Sequence, residues 1–214
     1  GMTKVGVSLL GGDYSALGEQ IKKLEKAGAD IISFDVMDGH FVNNITVGPG
    51  IIKSCRHVTK LPFECHLMIE GPERYVGEFI DAGCDIITVH IESTKKLSNI
   101  IKLVRVKGKK MSVALKPDTP TKDVLPYLND ADIVLVMTVE PGFARQHFMD
   151  MSPKIKALKS EIKRRGLSTE IMVDGGINNE TSKVAKAAGA DILISASYIL
   201  NNDYKTAIKN LRRA

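Results

Sequence analysis

The feature that most restricts this chain is an alternation. Short runs dense in Ile and Val, at residues 5–10, 30–37, 63–69, 85–91, 111–115, 132–139, 171–173 and 191–199, are separated by stretches of helical period. Continuously apolar runs are what parallel strands show when both faces of their sheet are covered. Between them, residues 15–26 align Leu17, Ile21 and Leu24 on one stripe, and 152–164 do the same with Ile155, Leu158 and Ile162. The helix-to-strand joints repeat. Ala27-Gly28-Ala29-Asp30, Ala82-Gly83-Cys84-Asp85 and Ala188-Gly189-Ala190-Asp191 each set a glycine where a helix must stop. Eight strand–helix units share the 214 residues, at roughly 27 residues each, close to the spacing of a (β/α)8 barrel. No linker, low-complexity segment or charge block interrupts them. Residues 2–214 therefore read as a single-domain (β/α)8 TIM barrel of the α/β class, and Gly1 ahead of Met2 reads as an expression-tag remnant. A doubly wound open sheet is the alternative, but no Gly-x-Gly-x-x-Gly follows the first strand.

Composition narrows the class. With 43% hydrophobic and 26% charged residues, the chain is neither disordered nor collagen-like nor disulfide-stapled. A net charge of +5 is mild, and the Lys/Arg-rich face of 154–165 reads as solvated, so no nucleic-acid partner is expected. No apolar run approaches the roughly 18 residues of a membrane span, and no signal-peptide segment opens the chain. Cys55, Cys65 and Cys84 are odd in number and lack paired spacing, which predicts free thiols in a reducing cytoplasm.

In such a barrel, function gathers at the C-terminal ends of the strands. Ser8 stands there on the first strand; Ser33, Asp35 and Met37 share one face of the second; Glu64, His66 and Met68 share one face of the third; the seventh ends at Asp174-Gly175-Gly176. Asp35 lies between apolar neighbours, and a buried carboxylate costs several kcal/mol unless paired or ligated. Two carboxylates and a histidine at one barrel mouth suit proton transfer or metal ligation. Asp38 and His40 read as loop structure. A second signal is phosphate: Gly142, Gly175-Gly176 and Ser195-Ala196-Ser197 fall in the loops where barrels hold phosphate on backbone N–H groups.

These residues resemble the ribulose-phosphate 3-epimerase family, almost end to end. The segments that carry the resemblance are Asp35-Val36-Met37-Asp38-Gly39-His40-Phe41-Val42, Asn44-Ile45-Thr46 with Gly48, His66-Leu67-Met68-Ile69, Val136-Met137-Thr138-Val139-Glu140-Pro141-Gly142-Phe143 and Val173-Asp174-Gly175-Gly176-Ile177. The resemblance implies a barrel of ribulose-phosphate-binding type, an isomerase that interconverts ribulose 5-phosphate and xylulose 5-phosphate of pentose phosphate metabolism. It further implies a cytoplasmic homo-oligomer that meets neither nucleic acid nor membrane. Asp35 and Asp174 would be the acid–base pair working through an enediolate. A divalent metal (Zn, Fe, Mn or Co) would sit on Asp35, His66 and Asp174. His66 would also touch the substrate, Ser8 would hydrogen-bond it, and Met37 and Met68 would wall the planar intermediate. The phosphate would rest against Gly142, Phe143, Ala144, Arg145, Gly175, Gly176, Ala196 and Ser197.

Three departures from the family pattern stand out. Ser33 stands where the family carries a metal-binding His, which weakens the metal site. Ala144-Arg145 replaces a usual Gly-Gly, and Ala196 replaces a usual Gly. A divergent sugar-phosphate-binding barrel, with altered substrate or little metal-dependent epimerase activity, is therefore the alternative. A metal-free decarboxylase or aldolase on a similar barrel would need a strand-end lysine, for which Lys116 is the candidate.

Overall fold

A computed structural model describes residues 2–144 and 146–214. Eight parallel strands close on themselves in chain order: β1 (Lys4–Ser8), β2 (Ile31–Met37), β3 (Phe63–Met68), β4 (Ile86–His90), β5 (Lys110–Leu115), β6 (Ile133–Met137), β7 (Glu170–Asp174) and β8 (Ile192–Ser195). The helices are α1 (Leu17–Lys26), α2 (Pro49–Arg56), α3 (Val76–Ala82), α4 (Leu97–Val106), α5 (Ser152–Arg164), α6 (Thr181–Ala188), α7 (Ser197–Leu200) and α8 (Tyr204–Arg213). This is the (β/α)8 barrel that the alternation predicts.

Successive side chains on a strand point to opposite faces, so each strand divides its residues between two cores. Outward-facing residues such as Ile32, Phe34, Leu67 and Val89 pack with the helices in one large cluster, and a second cluster fills the barrel. Inside, the layers alternate between even and odd strands. Ile31, Ile86, Ile133 and Ile192, the first residues of the even strands, form the floor. Above them lie Glu64, Ser112 and Met172 from odd strands, then Ser33, Thr88, Leu135 and Ile194 from even ones. The interior thus turns polar toward β2, β3 and β4, immediately below the mouth.

The joints work as their residues suggest, and the aspartates have a part that spacing did not assign. Gly28, Gly83 and Gly189 all take positive φ, and a Cβ on Gly83 would come within 2.5 Å of the Arg56 side chain. Asp30, Asp85, Asp132 and Asp191 each accept the backbone N–H of the neighbouring odd strand (Val5, Phe63, Met111 and Ile171, at 2.8–2.9 Å). Three of these carboxylates also pair with helix cations: Arg212 with Asp30, Arg56 with Asp85 and Lys159 with Asp191.

Three expectations are corrected. Among the described residues no α-helix joins β5 to β6. Pro117, Pro120 and Pro126 leave only 3-10 turns at Thr121–Asp123 and Leu125–Tyr127, because proline lacks the N–H a helix needs. The run at 191–199 does not continue as strand beyond Ser195; its last residues open α7. The thiols also differ. Cys65 on β3 and Cys84 at the start of the β4 segment are paired as a disulfide, Cα atoms 6.1 Å apart. Both are wholly buried; strand adjacency, invisible in sequence spacing, brings them together. Cys55 stays free.

Candidate active site

The C-terminal strand ends open into a cavity of about 780 Å³, within the range of small-ligand sites. Ser8, Asp35, Met37, His66, Met68, Gly142, Phe143, Ala144, Asp174, Gly175, Gly176, Ala196 and Ser197 all line it. Arg145 lies outside the described residues. Lys116 does not line the cavity: its ammonium lies 4.2 Å from the Phe41 ring centroid, which leaves the lysine-based alternative without its residue. Asp38 is loop structure as expected, its carboxylate accepting the N–H groups of His40, Phe41 and Glu70.

Asp35 and Asp174 come from β2 and β7 and meet at His66. Nδ1 of His66 is 3.1 Å from Asp35 Oδ1 and 3.5 Å from Asp174 Oδ2. Ser8 donates its hydroxyl to the other Asp35 oxygen at 2.6 Å. Burial alone would strip the His66 ring of charge, but the hydrogen bonds that it donates to Asp174 and Asp35 outweigh this and hold the imidazolium up to about 10. Asp174 is pushed up, first by burial and further by the neighbouring Asp35 charge, with His66 pulling back.

The three residues offer ligand atoms within 4.8 Å of one another. One imidazole and two carboxylates form a donor set fit for a first-row divalent cation with an open position. Ser33 is not part of it. Its hydroxyl points down the barrel and donates to Glu64 Oε1 at 2.6 Å, while Thr88 donates to Glu64 Oε2 at 2.6 Å. Burial pushes the Glu64 carboxyl up to about 7, against the pull of His66 and the two hydroxyls.

The loops are tied across the mouth. Thr138 donates to the Gly175 carbonyl, Asn44 to that of Gly142 and Ser195 to that of Ile177. Gly175 and Gly176 have φ of 122° and 66°, and a Cβ would come within 2.9 Å of the Val139 nitrogen at the first and 2.8 Å of the Phe148 nitrogen at the second. No other residue fits either position. Met37, Met68 and Val42, with Leu10 and Phe41, form an apolar wall.

A sequence profile described as the ribulose-phosphate 3 epimerase family matches residues 4–200. The chain belongs to the ribulose-phosphate 3-epimerase family. It is accordingly an epimerase, an isomerase-class enzyme. Similar family members include a ribulose-phosphate 3-epimerase of Methanocaldococcus jannaschii, 49% identical over 100% of this chain and 91% of that one. Another, of Bacillus subtilis, is 45% identical over 99% of each chain. The fold is also that of solved barrels of low identity, such as 3-keto-L-gulonate-6-phosphate decarboxylase from Vibrio cholerae (TM-score 0.77, 12% identity, 100% of this chain and 97% of that one).

Among the residues that sequence reasoning missed in this epimerase are Met137 and His90. Met137 lines the cavity from β6, and His90 stacks on His66, ring centroids 5.0 Å apart. The signal was present: Ile133, Leu135 and Met137 share a face by period two, as do Ile86, Thr88 and His90.

Proposed function

We propose that this epimerase inverts C3 of a ketose phosphate, ribulose 5-phosphate and xylulose 5-phosphate being the pair. The meeting of Asp35 and Asp174 at one cavity from separate strands supports this reading most directly. A proton α to a ketone is removed by one carboxylate, and the other returns a proton to the opposite face of the planar enediolate; the roles exchange for the reverse reaction. Ser8 donates to one oxygen of Asp35, and the other oxygen faces Nδ1 of His66, so the carboxylate is held in place from both sides. Met37 and Met68 exclude water from the flat intermediate. Phosphate rests against the backbone of Gly142, Gly175, Gly176, Ala196 and Ser197.

Asp35, His66 and Asp174 hold a divalent cation (Zn, Fe, Mn or Co), which when bound supplies positive charge for the enediolate oxygens. No helix among the described residues is long and apolar enough to cross a membrane. The protein is read as a cytoplasmic homo-oligomer without a nucleic-acid partner, to be checked by light scattering. Ser33, engaged with Glu64 instead of facing the cavity, favours a second reading: a barrel that binds sugar phosphate and turns it over slowly or not at all.

The deciding experiment follows C3–H exchange of ribulose 5-phosphate in deuterated buffer with added zinc or manganese. The epimerase reading requires exchange and xylulose 5-phosphate formation by the wild type, with both abolished in Asp35→Asn. Exchange by Asp35→Asn at the wild-type rate would remove Asp35 from the chemistry. Tight binding without exchange under every metal would establish the second reading.

A further inference from the structure

His66 turns Nδ1 toward the two aspartates, and its other nitrogen is also engaged. Nε2 lies 2.7 Å from Nε2 of His90, and both rings are wholly buried. Two ring nitrogens at that distance share one hydrogen: one donates and the other accepts. Which does so is settled one step further out. Nδ1 of His90 is 3.0 Å from Glu92 Oε1, while Glu92 Oε2 accepts the backbone N–H of Lys116 at 2.8 Å. A carboxylate offers acceptors only, so His90 carries its hydrogen on Nδ1. Its Nε2 is then the acceptor, and the shared hydrogen belongs to Nε2 of His66. The reverse order would set a bare Nδ1 against a carboxylate or would demand a doubly protonated His90 ring with no exposure to water.

We propose that His90 and Glu92 are positioning residues that keep a hydrogen on Nε2 of His66, so that Nδ1, which donates to the aspartates when no cation is present, is the nitrogen left to bind a cation between Asp35 and Asp174. The inference rests on the metal reading above for its purpose, but the hydrogen-bond order stands on the geometry alone. The chain is held in place at its outer end. Glu92 sits in the 3-10 turn Ile91–Ser93 directly after β4, where Ser93 donates to the His90 carbonyl at 2.7 Å. Phe41 closes over the His90 ring, centroids 5.1 Å apart. Outer partners of this kind orient metal-binding histidines, and their loss typically weakens metal affinity by about 10–100-fold.

The test has two independent readouts. Long-range proton–nitrogen spectra of imidazole-labelled protein are expected to show His90 with a protonated Nδ1 and a bare Nε2, both without metal and with zinc. A protonated Nε2 on His90 would overturn the order whether or not zinc binds. Zinc affinity, measured by chelator competition, is expected to fall about 10–100-fold in Glu92→Gln, whose amide can turn an N–H toward His90 and release the order. Ser93→Ala, which alters the turn but none of the ring contacts, should keep the His90 spectrum and wild-type affinity. Unchanged affinity and spectrum in Glu92→Gln would refute the positioning role. Zinc affinity unchanged in Asp174→Asn would instead refute the metal reading, and the His90 spectrum would still decide the hydrogen-bond order.

Discussion

Ser33 shows how far one residue can be read. As a hydroxyl where the family pattern has an imidazole, it leads one to expect a weaker metal site. Its actual partner is Glu64, one strand over, which Ser33 and Thr88 share. Two predictions belong at this scale. Ser33→His is expected to tighten zinc binding in chelator competition while lowering Tm, since overpacking an enclosed site costs about 1–3 kcal/mol. No gain in affinity would show that a side chain at position 33 does not reach the Asp35–His66–Asp174 cluster. The second concerns pH. The Glu64 carboxyl is held up to about 7 against an ordinary 4.5, so between these values the unfolded chain has lost its proton and the folded one has kept it. Folding stability from this group is therefore undiminished below about 4.5, falls as pH rises, and levels off above about 7. Glu64→Gln removes that slope. The Tm difference between wild type and variant should shift in favour of the variant as pH rises across this window, and parallel curves would contradict it.

At the scale of elements, strand ends and loop starts divide the labour. The aspartates at the helix-to-strand joints stitch the barrel floor, each holding an N–H of the neighbouring strand. Asp191→Ala should lower stability to denaturant by about 1–3 kcal/mol, the usual cost of an orphaned buried donor, with turnover per folded molecule unchanged. Gly175 does the opposite work at the mouth. Gly175→Ala forces a Cβ at positive φ against Val139 and displaces the β6 and β7 loops together; activity should fall by about 100-fold. A variant with wild-type kinetics would show that these loops do not position the substrate. The joint glycines and the inward face of each strand were legible because both follow from local rules, φ at one residue and period two along a strand. The segment from β5 to β6 was misjudged because overall alternation was weighed above its prolines.

For the whole molecule, closure is what makes a site. Asp35, His66 and Asp174 are spread over most of the chain, and a ring of eight strands sets them within 4.8 Å. A cation held there stabilises the folded state by mass action, by about 2.7 kcal/mol at a hundredfold excess over Kd. Zinc should therefore raise Tm in the wild type and leave Asp174→Asn nearly unmoved; equal shifts in both would place the zinc elsewhere.

The sequence by itself determined the barrel, the strand faces, and the strand-end residues and loops that line the cavity, since all of these are written in period and motif order. Only the tertiary structure decided that Ser33 serves Glu64, that Cys65 meets Cys84, and that His90 and Glu92 stand behind His66. The physical reason is the stagger between neighbouring strands. Period two tells which way a side chain points, but the register and tilt of a closed barrel set its height, and height decides which inward residues touch.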